Sequence, residues 1–127
     1  MQFRVYSGSD GQSHIEELQL TSIGVFGFPT EQGEELVFLR EPMPGWHTAP
    51  RRQFVVTLAG QVELGFGDGT KQRLGPGDIS LMEDHTGQGH TTTVVEGPWL
   101  SIQIPVGFDA QVSVLQPSVD RDSRQVD

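Results

Sequence analysis

Two short stretches of the chain hold most of the side chains that could do chemistry. The first is Gly45-Trp46-His47-Thr48-Ala49-Pro50-Arg51-Arg52-Gln53, which leads into the β-branched and aromatic run Phe54 to Leu58. Side chains alternate along a strand, so His47, Ala49, Arg51, Gln53 and Val55 are expected on one face. An imidazole, a guanidinium and an amide projecting together predict a polar patch inside an otherwise apolar interior. The second stretch, Glu83-Asp84-His85-Thr86-Gly87-Gln88-Gly89-His90, brings two carboxylates and two imidazoles into eight residues. Imidazoles exchange protons near neutral pH and, with other donors completing the shell, hold transition metals.

Each candidate has a functional and a structural use. His47 is read as a ligand or acid/base group in the interior, in phase with Gln53. For His90 the two uses weigh evenly. His85 follows two acids and is expected to be exposed or bonded locally, and His14 is expected to have no catalytic part. Arg51 and Arg52 are neighbours, so a strand turns them to opposite sides. One would enter the pocket and pair with an anionic ligand or with Glu83 or Asp84. The other would form a surface ion pair of small energetic weight. Glu83 stays a pocket candidate, whereas Asp84 is assigned to the loop's own hydrogen bonding. Gly87-Gln88-Gly89 looks like a phosphate cradle, but no helix signal follows it and a P-loop is excluded.

The elements that must position these groups read as strands. Phe54–Leu58 and Val62–Phe66 are joined at Gly60 as a hairpin, and Gly67-Asp68-Gly69 turns the second into Lys71–Leu74. Gly75-Pro76-Gly77-Asp78 turns into Ile79–Met82, the loop to His90 leads into Thr91–Val95, and Gly97-Pro98 turns into Trp99–Ile104. Leu36–Leu39 and Val112–Leu115 add short strands. Ser13 to Leu20 fits a helix capped by Ser13 and Glu16, and equally a strand or an irregular arm. The polar, Gly-containing stretch Phe28 to Gly33 separates an N-terminal arm, 1–34, from a main body, 35–116. A polar tail, 117–127, is expected to be mobile. Many short strands spaced by turns predict a single all-β domain, a sandwich or closed barrel.

Composition narrows the partners. Seventeen acidic against eight basic residues give a formal charge of −9, which repels phosphate backbones and argues against a nucleic-acid partner. There is no cysteine, so thiolate metal sites, disulfides and Cys nucleophiles are excluded. No apolar run reaches membrane-spanning length, and the start lacks the apolar stretch of a secretory signal. The expectation is a soluble cytoplasmic protein.

The same two stretches carry a resemblance. His47, then Gln53 six residues before Gly60, resembles the first motif of the cupin superfamily; Gly77-Asp78, an apolar strand, a Gly-containing loop and His90 resemble the second. Ser13-His14, Trp46-His47, Ala49 to Gln53 and Glu83-Asp84 with Gly87-x-Gly89-His90 look like small bacterial single-domain cupins. The resemblance runs to about Ile104 and implies a cupin double-stranded β-helix, a jelly-roll barrel. It also implies a metal held by three His and one Glu. Here Ala49 stands where the second His belongs and Gln53 where the Glu belongs, and Asp78 to His90 is about two residues longer than usual.

The functional expectation is a small-molecule pocket lined by His47, Arg51, Gln53, Glu83 and His90. In its metal-dependent form, His47 and His90 hold a divalent transition metal (Fe, Mn, Ni or Zn) for oxygenase or isomerase chemistry. The alternative is a metal-free binding or sensory module in which Gln53 and Arg51 hydrogen-bond an organic acid. A third is a structural barrel. A homodimer through sheet edges or the N-terminal arm is expected, since pairing covers an exposed edge.

Overall fold

The computed structural model describes residues 1–20, 37–107 and 114–115. The stretch Phe28 to Gly33, the break between arm and body, and the polar tail lie outside them. The elements are β1 (Gln2–Ser7), β2 (Ser13–Leu20), β3 (Val37–Leu39), β4 (Gln53–Gly65), β5 (Lys71–Leu74), β6 (Ile79–Met82), β7 (Thr91–Pro105) and β8 (Val114–Leu115). Among the described residues there is no helix long and apolar enough to cross a membrane.

The all-β class is as expected. Strands β1 to β7 form one mixed sheet in the order β3-β7-β4-β6-β1-β2, with β5 also on β4 and β8 added at β2. Pairing is antiparallel except between β1 and β6. The path runs from β3 to β8 without returning on itself.

Ser13 to Leu20 resolves as a strand rather than a capped helix. Arg4 lies opposite Glu16 in the β1–β2 register and donates to its carboxylate at 2.8 Å, so Glu16 caps nothing. Phe3, Val5 and Leu18 are buried. The first twenty residues are therefore woven into the sheet, between β6 and β8, and not laid against it as an arm.

The expected hairpin at Gly60 is a second correction. Residues 53–65 form one strand that stays paired with β7 through register shifts between Thr57 and Val62. Gly60 has φ +77°, and a Cβ there would lie 2.5 Å from the Pro98 carbonyl oxygen and 2.6 Å from that of Glu96. The Gly-Pro pair read as a turn, Gly97-Pro98, is a cis peptide within β7, facing these shifts. Irregular pairing of this kind bends a strand without ending it. Along one edge of β4, β6 covers Gln53–Val56 and β5 covers Val62–Gly65, so β4 changes neighbour along that edge. The turns at 66–70 and 75–78 close as expected, with Phe66 N–H donating to Thr70 and Asp78 N–H to Gly75.

Alternation then sorts the sheet into two faces. Phe54, Leu81, Ile104 and Val106 pack on one side with Val56, Ile79 and Ile102. Phe3, Val5, Val62, Leu64, Leu74, Met82 and Trp99 form the larger core on the other. The side of the larger core holds the cavity.

Candidate functional site

The side of the larger core carries a partly open cavity of about 210 Å³. β4 supplies Gln53, Val55, Thr57, Val62 and Leu64 to its wall, β6 supplies Ser80 and Met82, and β7 supplies Thr92, Trp99 and Gln103. His47, Ala49 and His90 line it as well. The inward phase of Gln53 and Val55 is the period-two pattern expected of the strand. Among the described residues, no Asp, Glu, Lys or Arg lines the cavity.

His47 and His90 meet through the backbone. They form an isolated antiparallel bridge, His47 N–H to His90 O at 2.9 Å and His90 N–H to His47 O at 2.8 Å. Their ring centroids are 4.6 Å apart, edge to face. Ala49 N–H donates to Asp84 O at 2.9 Å, so the two stretches are laced together at both ends of the 84–90 loop. The turn after β1 holds the loop from the other side, with Gln88 N–H donating to Gly11 O at 2.9 Å.

Each imidazole is oriented by an acceptor at Nδ1. The Gly45 carbonyl lies 2.9 Å from His47 Nδ1; a carbonyl only accepts, so that nitrogen carries hydrogen. Asp84 Oδ2 lies 2.5 Å from His90 Nδ1 and also accepts from Ser13 Oγ at 2.6 Å. Asp84 and Ser13 are fully buried and His90 nearly so. Asp84 Oδ1 and Trp99 Nε1 are buried without a partner among the described residues. In both rings Nε2 is the nitrogen left for the cavity. No hydroxyl among the described residues bonds to either one.

Burial pushes the His47 pKa below the 6.5 of a free imidazole, assisted by nearby His90 and opposed by the Gly45 carbonyl and Asp84. His47 is therefore neutral at pH 7, with an acceptor lone pair on Nε2. As pH falls, the unfolded chain takes up this proton before the folded one. The stabilisation linked to His47 is thus complete above pH 6.5 and is lost as pH falls from there toward the lowered folded value. In an NMR titration the His47 ring resonances are expected to have a midpoint under 6.5. A midpoint at or above that value would contradict its desolvation.

The other sequence candidates are placed elsewhere. Arg51 and Glu83 do not line the cavity. Arg51 Nε donates to Gln53 Oε1 at 3.1 Å. Glu83 accepts from Arg4 Nε at 2.6 Å and Arg52 Nε at 2.7 Å. Glu83 does pair with an arginine, but with Arg52 and away from the cavity, whereas the sequence placed such a pair inside the pocket. His85 is exposed and bonded locally to the Glu83 carbonyl, as expected. His14 lies outside the cavity, 2.9 Å from Asp10 and 3.6 Å from Asp68. Asp84 and Ser13 are what the sequence reading missed: Asp84 does hydrogen-bond, but to the His90 ring and to a residue 71 positions away.

Tested against a metal, the donor set falls short of the one the resemblance implies. Ala49 offers no ligand atom, and the Gln53 oxygen already accepts from Arg51. Among the described residues there is no group of three or more His, Cys, Asp or Glu suited to a metal ion. Two imidazoles remain. No protein-family model, curated protein or solved structure matches the chain.

Proposed function

We propose that this chain is a small-molecule-binding protein of the cupin type, which takes a compact, uncharged and largely apolar molecule into its cavity. The observation that carries the reading is the cavity, whose mainly apolar wall also presents His47, His90 and a few uncharged polar side chains, Gln53 and Gln103 among them. Ligand sites commonly combine an apolar lining with a few convergent polar groups. A cavity without charged side chains favours a neutral ligand over the organic acid expected earlier, because a carboxylate there would lose its hydration without gaining a counter-ion. The His47 Nε2 lone pair and the Gln53 amide are suited to address the ligand's polar end.

The test is titration with phenol, toluene and cyclohexanone, followed by NMR of the Val55, Val62, Leu64 and Met82 methyl groups. Saturable shifts of these methyls are expected, weakened at least about tenfold by Val55→Phe, which fills the space. Methyls that stay unmoved by all three compounds would remove the reading.

One observation favours a metal-dependent second reading: both Nδ1 atoms are engaged, which is how ligating imidazoles are held with Nε2 forward. Stoichiometric Fe, Mn, Ni or Zn in untagged protein, lost in the His47→Ala/His90→Ala double variant, would support it. Metal-free protein that still binds the probes leaves the first reading in place.

A further inference from the structure

We infer that His90, backed by Asp84, is a metal-independent general base that removes a proton from carbon next to a ligand carbonyl, with a neutral cyclic ketone as the simplest substrate class. The inference rests on the cavity reading and goes beyond binding.

A buried carboxylate on Nδ1 fixes the imidazole with Nε2 forward and stabilises the positive charge the ring gains when Nε2 takes a proton. Asp84 is placed for this, at 2.5 Å from Nδ1 and fully buried, and the Ser13 hydroxyl holds the same oxygen at 2.6 Å. Such a base usually activates a neighbouring hydroxyl or thiol. Among the described residues neither imidazole has one bonded to it, and the chain has no cysteine. Among the described residues this leaves the ligand or water as the source of the proton. The mainly apolar wall favours a ligand C–H bond over a hydrated nucleophile.

The developing enolate needs a donor. Arg51 can only donate, so its bond to Gln53 Oε1 turns the amide oxygen aside and leaves the Gln53 N–H₂ end to serve the cavity. The step balances without a co-reactant. The C–H bond breaks as a bond forms between Nε2 and the proton, and the C–H electron pair becomes the enolate double bond with charge on oxygen. Return of the proton to the same carbon gives exchange with solvent; return two carbons further along a β,γ-enone gives its conjugated isomer. A cavity of roughly 150 Å³ accommodates benzene, so 210 Å³ has room for a six-membered ring and its carbonyl.

The experiment follows α-proton exchange of cyclohexanone and isomerisation of cyclohex-3-enone in D₂O by NMR, with EDTA present throughout. Exchange is expected at least about 100-fold faster than with equimolar free imidazole, as proton transfer by a positioned base supplies. His90→Gln should remove the enhancement. Asp84→Asn should lower kcat by about tenfold or more with KM within about twofold, the pattern of a positioning residue acting in the transition state. Nitrogen-15 shifts of His90 should report hydrogen on Nδ1 in the wild type. Probes that bind but exchange no faster than with imidazole would overturn the general base and leave the binding pocket standing. Exchange unchanged by His90→Gln would also overturn it. Ketones that fail to bind while phenol or toluene still shifts the cavity methyls would overturn the general base alone, and failure of every probe to bind would overturn both.

Discussion

Alanine at Gly89 is expected to lower stability by about 3 kcal/mol and to abolish binding in the cavity. Gly89 has φ +83°, and a Cβ there would run into the His47 carbonyl carbon and oxygen and lie 2.8 Å from Thr48 N. All three atoms are backbone, so no rotamer change relieves the contact. The carbonyl struck is the acceptor for His90 N–H, so relief must push apart the strands that the His47–His90 bridge joins. A left-handed non-glycine residue costs about 1–3 kcal/mol, and forcing backbone apart adds a similar amount. Gly69 is the control. Its φ is +91° but a Cβ there meets nothing within 4 Å, so Gly69→Ala isolates the conformational strain. Urea unfolding of both variants should put Gly89→Ala well below Gly69→Ala, with NMR showing the His47 and His90 amides most shifted. Equal stabilities would mean that the bridge is not held at the spacing described.

Asp84→Ala is expected to have a comparable effect for a different reason. One carboxylate oxygen accepts from both Ser13 Oγ and His90 Nδ1 in a place with no access to water. Alanine leaves two buried donors without an acceptor, and each unsatisfied group costs about 1–3 kcal/mol. Asp84→Asn keeps an acceptor in reach and should be milder. Ser13→Ala should lie between Asn and wild type, because it removes one donor together with its bond. A double-mutant cycle between Ser13→Ala and Asp84→Ala should give a coupling of about 1–2 kcal/mol. A loss under about 0.5 kcal/mol for Asp84→Ala would show that the carboxylate is solvated or absent from this cluster.

The strand alternation made part of the site legible. Gln53 and Val55 face the cavity as period two requires, and His47 follows the same side although it lies before β4 begins. Arg51 does not line the cavity and donates its Nε–H to Gln53. Glu83 was harder to read, because a carboxylate next to a strand end looks the same whether it faces a pocket or two guanidiniums. Arg4 and Arg52, which claim it, are 79 and 31 residues away.

Gly60 and Gly97-Pro98 were misread for a related reason. Positive φ at glycine and a proline break serve a chain-reversing turn and a bulge equally well. Only the partner strand distinguishes them, and here β4 and β7 stay paired through both. Where the loop is short and closed by its own backbone, as at 66–70 and 75–78, local chemistry sufficed.

Local and periodic properties of the sequence therefore determined the all-β class, the two close turns, most strand positions and the inward face of β4. These depend on φ preferences and on side-chain alternation over a few residues. Tertiary structure alone decided that residues 1–20 pair into the sheet, that His47 and His90 share a bridge, and that Ser13, Asp84 and His90 form one buried cluster. Those outcomes depend on which distant segments pack together. A buried donor or acceptor takes whatever partner the fold brings within 3 Å, and no spacing in the sequence records that choice.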